Sequence, residues 1–326
     1  MTARAQGAGR QHPGSVTIHH ADNLEVARPL PSGAFTLVYL DPPFNSGRAR
    51  GVGPTDAVVS VPYAGFRGRQ YTRMRADLGG YDDRFADYWG FLEPRLSEAW
   101  RLLADDGTLY LHLDYREVHY AKVLLDALFG RERFLNEIIW AYDYGAKTRR
   151  RWPNKHETIL VYVKDPTRYV FDADAVDREP YMAPGLVTAE KAARGKRPTD
   201  VWWHTIVPTN GRERTGYPTQ KPEGILRRIV QASTRPGDAV LDLFAGSGTT
   251  GAVAAALGRD ALLVDDNPEA IRVMRARLPT AVVVGAALFA DSPVVAPGGA
   301  DSPVVAPGGA DSRVVSPGGA DSPVVE

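Results

Sequence analysis

The segment VLDLFAGSGTTG at 240–251 narrows the fold more than any other stretch of this 326-residue chain. A short apolar run ends in a glycine-rich turn, and a helical pattern begins at once. Gly246-x-Gly248-x-x-Gly251 is a formal match to the dinucleotide fingerprint. Glycine lets the backbone turn tightly and come close to a ligand. The helix predicted from Thr249 to Leu257 meets Gly258 as its C-terminal cap. The next apolar run, ALLV, ends at Asp265, 19 residues after Gly246, where an acid can accept hydrogen bonds from ribose hydroxyls. An adenosine-bearing cofactor explains this better than a bare turn with a helix cap.

The glycines leave the cofactor open. NAD needs a pyrophosphate seat at the helix N-terminus. S-adenosyl-methionine has no phosphate and needs partners for its amino-acid end. Asp242 is placed either to hold an ammonium group or to cap the turn.

Other apolar runs predict strands at 16–19, 35–40, 108–113, 135–140, 158–163, 239–243 and 261–264. Residues 85–104 set Tyr88, Trp89, Leu92, Leu96, Trp100 and Leu103 near one helical face, with a kink expected at Pro94. Residues 222–234 open with Pro222 in the first turn and bury Ile225, Leu226, Ile229 and Val230. Residues 268–278 have Asn267 as cap and Pro268 behind it. Strands alternating with helices imply an α/β fold with a doubly wound, mostly parallel sheet.

Composition removes several function classes. The 44% apolar share supports a real core. No run reaches the roughly 18 apolar residues of a membrane span. The N-terminus is polar, so a cytoplasmic location and no membrane partner are the expectation. The chain has no cysteine, which excludes disulfides, thiolate metal sites and thiol nucleophiles together. The 39 basic and 39 acidic side chains balance. Residues 290–326 hold five of the acids and one base, which leaves the rest at +4. That mild excess permits a polyanionic partner.

Those last residues are a decapeptide repeat. ADSPVVAPGG starts at Ala290, recurs at Ala300 and, as ADSRVVSPGG, at Ala310, and breaks off after Ala320. Each copy offers only a valine pair for burial, so 290–326 is expected to be a disordered tail. Residues 1–14 are a second expected loose end, and 15–289 form one body. Two stretches in it break the strand–helix rhythm. Residues 45–80 are rich in glycine and arginine, and 166–210 are rich in proline with a pair at Trp202 and Trp203.

The strand FTLVYL at 35–40 runs directly into Asp41-Pro42-Pro43-Phe44. Two prolines stop the strand and fix the backbone, so Asp41 is presented rigidly at the strand's C-terminal end. Ligands of open α/β sheets sit at those ends. Asp22, the 244–249 turn and Asp265 also follow strands, so parallel strands would gather all four features on one edge. Taken alone, DPPF could be a rigid turn with Phe44 in the core.

LDPPFNSG, FAGSGTT and YPTQKP (217–222), with NEIIW (136–140) and KHETILVY (155–162), resemble the amino-group DNA methyltransferases. The likeness is to the permuted, beta-type branch, in which the catalytic motif precedes the cofactor motif. It covers roughly 16–278. It implies the S-adenosyl-methionine-dependent methyltransferase type of sheet. It also implies that cofactor on the 242–250 turn: Asp242, Phe244, Ala245, Gly246, Ser247, Gly248, Thr249 and Thr250. Asp265 is implied on the ribose, Asp22 near the cofactor adenine, and Gln220, Lys221 and Pro222 on the methionine side. Asp41, Pro42, Pro43 and Phe44 become the catalytic set. Their aspartate favours adenine N6 over cytosine N4, whose enzymes often carry SPPY. Leu243 stands where the family commonly has proline, and the repeat tail is extra.

The resemblance implies double-stranded DNA as partner. Lys147, Arg149, Arg150, Arg151 and Lys155 lie with Trp152 in an acid-free run that suits a phosphate backbone. A solvated basic loop is the other reading. Arg48 follows Phe44 in an arginine-rich loop that could close over a flipped nucleotide. Residues 166–210 fall where such enzymes keep target-recognition elements. A cognate restriction endonuclease and a homodimer are compatible with the family. His156 and His204 lack metal-ligand spacing, so structural hydrogen bonding is expected of them. An NAD-dependent oxidoreductase would leave DPPF, QKP and the basic loop unexplained. A nucleic-acid-binding module without catalysis would not need Asp41.

Overall fold

Alternating strand and helix patterns build a three-layer structure. The computed structural model describes residues 13–45, 48–50, 61–64, 70–73, 81–83, 87–145 and 147–285. In chain order they form β1 (Val16–His20), α1 (Asn23–Ala27), β2 (Phe35–Leu40), the short strands β3 (Arg48–Arg50), β4 (Val61–Ala64), β5 (Gln70–Arg73) and β6 (Tyr81–Asp83), α2 (Tyr88–Leu102), β7 (Leu103–Leu113) and α3 (Val118–Phe129). There follow β8 (Phe134–Ala141), β9 (His156–Val163), α4 (Ala189–Arg194), β10 (Val201–Trp203), α5 (Glu223–Ser233), β11 (Ala239–Asp242), α6 (Thr249–Ala256), β12 (Asp260–Asp265), α7 (Pro268–Arg277) and β13 (Val282–Val284).

Nine strands make one sheet in the order β10-β8-β9-β7-β2-β11-β12-β1-β13, while β3 pairs with β6 and β4 with β5. Each of the seven predicted strands belongs to the large sheet. Its neighbours are parallel except around β9, which runs antiparallel to β7 and β8. Asp242 lies beside Tyr39 and beside Leu263, so β2, β11 and β12 end together. Because β9 is inverted, its first residues reach that same edge, with Thr158 opposite Leu113.

Strand parity sorts side chains between two cores. Val38, Leu40, Leu109, Leu111 and Leu241 face one way, against α2 and α3 through Leu92, Leu96, Leu102 and Leu125. Leu37, Tyr39, Val240 and Leu263 face the other way, against α5, α6 and α7 through Ile225, Ile229, Val253 and Ile271. Full burial of each such aliphatic is worth about 1.5–3 kcal/mol. The sheet is thus rigid beneath the edge that carries Asp41.

Several local expectations change. The 85–104 helix starts at Tyr88 behind Asp87 as N-cap and continues through Pro94 to Leu102 as one element. Pro222 is the N-cap residue of α5, outside its first turn, with an extended backbone. The stretch 166–210 is less irregular than its prolines suggest. It supplies β10 to the sheet edge beside β8, the short helix α4 behind its Thr188 cap, and a bridge between Glu179 and Lys196. A three-residue strand is too short for a periodicity to register. The arginine-rich 45–80 stretch is described only at its first residue and in the backbones of β3, β4 and β5. The expected loose ends, 1–12 of the first and all of 290–326, lie outside the described residues.

Candidate active site

The turn after β11 is built by its own backbone. Gly246 and Gly248 have φ of 50° and 71°, the left-handed region that glycine enters without penalty. Gly248 is the N-cap of α6. Asp265 ties the turn down: one carboxylate oxygen accepts from Gly246 N–H at 2.8 Å and the other from Asn267 N–H at 2.9 Å. Burial still pushes this carboxyl up to about 6, outweighing those two donors. Asp242 is buried at the strand end, accepting from Phe244 N–H at 3.0 Å and from Thr250 O–H at 2.6 Å. Burial raises it to about 7 against those bonds, with the Asp41 and Asp265 charges adding to the rise. Ser247 and Thr249 hydroxyls meet at 3.1 Å, and Thr249 also donates to the Lys221 carbonyl at 3.1 Å.

Asp22 shares this cavity but is already used by the fold. One oxygen caps α1 through Leu24 N–H at 2.8 Å, and the other pairs with Arg95 at 2.9 Å. Arg95 continues to Asn23 at 2.6 Å and lies 4.0 Å over the Phe91 ring. Phe91 in turn packs on Phe244, with centroids 6.0 Å apart.

Asp41 stands on the opposite wall. Lys221 Nζ donates to its Oδ2 at 2.6 Å. Its Oδ1 is buried and has no hydrogen-bond partner. Pro42 is buried behind it, and the Pro43 carbonyl accepts from Tyr88 O–H at 2.8 Å. Phe44 is 8% exposed and joins the core cluster, yet it also faces a cavity. The ring is therefore both a core residue and a wall of the site.

Asp41, Asp22, Asp242, Asp265, the glycine turn and the stretch Gln220-Lys221 line one cavity of about 380 Å³. Its size is ordinary for a small-molecule site, about 300–1,000 Å³. Gln220 braces the loop before α5, accepting from Thr215 N–H at 2.8 Å and donating to the Glu213 carbonyl at 2.6 Å. A second cavity of about 490 Å³ shares Tyr217, Thr219, Gln220 and Lys221 with the first. Phe44, Trp140 and Tyr142 give it aromatic walls.

Sequence reasoning missed Glu157 and His112. His112 Nε2 lies 2.9 Å from Glu157 Oε2, and Lys221 Nζ lies 3.7 Å from the same oxygen. The expectation of a shared edge rested on strand C-termini, whereas Glu157 arrives on the N-terminal end of an antiparallel strand. The signal was present: two apolar runs joined across 142–155 without a helix between them.

The basic run occupies that β8–β9 connection, at the sheet edge that carries Asp41. Lys147, Arg149, Arg150 and Arg151 are exposed, Trp152 is 92% exposed, and Lys155 is half-buried, 3.8 Å from Asp143. The Arg48 side chain lies outside what the structure describes. His204 Nδ1 sits 2.8 Å from the Thr205 carbonyl. Among the described residues no cluster of three potential metal ligands occurs, and no helix is long and apolar enough to cross a membrane.

The DNA methylase family model of the N6/N4 type matches residues 35–276. DNA adenine methyltransferase YhdJ of Escherichia coli (strain K12) is 31% identical over 273 residues, covering 81% of this chain and 83% of that protein. The Type II methyltransferase M.HpaI of Haemophilus parainfluenzae is 29% identical over 257 residues, covering 78% and 71%. Of solved structures, the M1.HpyAVI–SAM complex aligns with a TM-score of 0.53 at 21% identity, over 81% of this chain and 98% of that one. The PvuII DNA methyltransferase, titled cytosine-N4-specific, aligns with a TM-score of 0.54 at 17% identity, over 82% and 87%. These two structures bear on the fold.

Proposed function

This chain belongs to the family of DNA methylases that act on adenine N6 or cytosine N4 amino groups, and on that premise we propose that it transfers the methyl group of S-adenosyl-methionine to adenine N6 in double-stranded DNA, at a specific site. One observation carries the proposal. Asp41, fixed at the end of β2, lines the cavity that the glycine turn also lines, and its buried Oδ1 has no hydrogen-bond partner.

The residues present fit that cofactor. Asp242 is a buried acid raised to about 7, and a nearby ammonium would restore its charge. Asp265, raised to about 6, can serve ribose hydroxyls, and Phe91 and Phe244 add apolar wall. When bound, the cofactor supplies an electrophilic sulfonium methyl.

An exocyclic amino nitrogen is a poor nucleophile because its lone pair is delocalised into the ring. Asp41 Oδ1 and the Pro42 carbonyl accept its two N–H hydrogens and draw the nitrogen toward tetrahedral geometry. The lone pair then points at the methyl in line. Holding both reactants this way supplies much of the acceleration. Transfer would form the N–CH3 bond as the methyl–sulfur bond breaks to leave a neutral thioether, and the methylated amine cation would release its proton to solvent.

The base must leave the duplex, which costs a few kcal/mol. The second cavity receives it, and stacking on an aromatic such as Phe44 returns about 1–3 kcal/mol per base. The exposed basic run tracks the backbone. The aspartate before the double proline supports adenine, as does the adenine-specific name of the 31% identical relative. The Type II name of the other relative supports a restriction-modification setting.

Nucleoside analysis of DNA incubated with the protein and cofactor tests this. N6-methyldeoxyadenosine is expected. N4-methyldeoxycytidine would move the target to cytosine, and no methylated nucleoside would reject the function.

A further inference from the structure

The chemistry above uses one oxygen of Asp41, while Lys221, backed by further buried side chains, holds the other. Lys221 holds Oδ2 at 2.6 Å, with its own side chain 8% exposed and that of Asp41 16%. A buried ammonium is costly unless its surroundings are fixed. Here Glu157 Oε2 lies 3.7 Å away and the Phe44 ring centroid 4.9 Å away. His112 Nε2 approaches Glu157 Oε2 to 2.9 Å, and the Tyr142 hydroxyl donates to Glu157 Oε1 at 3.3 Å. The other His112 nitrogen lies 2.8 Å from the Tyr39 hydroxyl. Burial would lift the Glu157 carboxyl, but Lys221 and His112 beside it bring it down to about 2. The run Tyr39–His112–Glu157–Lys221–Asp41 therefore crosses β2, β7, β9 and the stretch before α5, and at its end Asp41 Oδ1 is buried without a hydrogen-bond partner.

We propose that Lys221 is a positioning residue for methyl transfer: with Glu157 beside its ammonium, it orients Asp41 so that only Oδ1 meets the target amino group. The proposal rests on Asp41 being the acceptor of the amino hydrogens. It assigns the Lys221 ammonium to the catalytic carboxylate, while the Lys221 backbone carbonyl braces α6 through Thr249.

Among the described residues, the charged and titratable groups facing Asp41 are Lys221, with Glu157 on β9 behind it, Asp242 on β11 and Tyr39 on its own strand. Two substitutions move the electrostatics in opposite senses. Lys221→Met removes the cation, so Asp41 takes up a proton more readily and the acid limb of the pH–rate profile moves up. Glu157→Gln removes the competing anion, so the Lys221 charge acts undivided on Asp41 and the limb moves down. Simple loss of structure would lower rates without moving the limbs apart.

The test is single-turnover methyl transfer against pH, with a parallel pH titration of aspartate carboxyl carbons by NMR on cofactor-free protein. Lys221→Met is expected to lower the rate at least about 100-fold, the scale of a misplaced catalytic group. Its limb and the Asp41 titration should rise by about one pH unit or more, as loss of a close opposite charge requires. Lys221→Arg should recover part of the rate, and Glu157→Gln should shift both readings down. If Lys221→Met does not fold, the double variant Lys221→Met/Glu157→Gln, free of the stranded anion, must still show an upward shift, smaller because the anion is gone too. Limbs that stay put, or move together, while Asp41→Ala is inactive would overturn the role of Lys221 alone. Full turnover by Asp41→Ala would overturn the reading beneath it.

Discussion

Asp242 is the residue whose ionisation the fold most plainly resists. Its carboxyl sits at about 7, against an ordinary value of 3.8. Between those values the folded chain holds a proton that the unfolded chain has released. The contribution to stability is therefore full below the lower value, declines as pH rises, and is gone above the higher one. Each unit of difference is about 1.4 kcal/mol, so the whole effect is on the order of 4 kcal/mol. Urea unfolding of the cofactor-free protein should show stability falling between about pH 4 and about pH 7, the window set by those two values. Asp242→Asn should flatten most of that slope. A slope unchanged in the variant would mean that Asp242 is not the group responsible, and would turn attention to Asp265, raised to about 6.

At the scale of elements, the α6 helix lies close on β12 because Gly251 has no side chain. A Cβ there would fall 2.5 Å from Leu263 Cδ1, and Leu263 is fully buried with nowhere to yield. Gly251→Val should cost about 1–3 kcal/mol in urea unfolding, the usual range for overpacking. A neutral result would show that the helix can lift from the sheet. The β8–β9 connection makes a different prediction. Replacing Arg149, Arg150 and Arg151 with alanine should weaken DNA binding at low salt. It should also reduce the slope of log affinity against log salt by about 0.9 for each phosphate no longer neutralised. Cofactor affinity should stay the same. If the slope does not change, the run is only a solvated loop.

Across the whole molecule, the elements with long apolar runs were legible and the rest were not. All seven predicted strands joined the sheet because each buries alternating or continuous apolar residues between two helix layers. β10 and β13 have three residues each, and their pairing is decided by what lies beside them, which local sequence does not encode. The antiparallel sense of β9 is likewise a tertiary fact, and with it went Glu157 and His112. Asp41, Asp22, Asp242, Asp265 and the glycine turn were readable because each follows a strand, and parallel strands bring their ends together. Arg95 and Phe91 line the same cavity from a helix with no motif of its own. The network behind Lys221 was invisible for the same reason: its members are spread from Tyr39 to Lys221 and meet only at the sheet edge.

The proposed methyl transfer places Asp41 against a donor bound by the turn after β11. Transfer to DNA and cofactor binding, measured on the same preparation of Asp41→Ala, test that most directly. Binding retained with transfer abolished is the predicted result, and methylation at the unmodified protein's rate would contradict it.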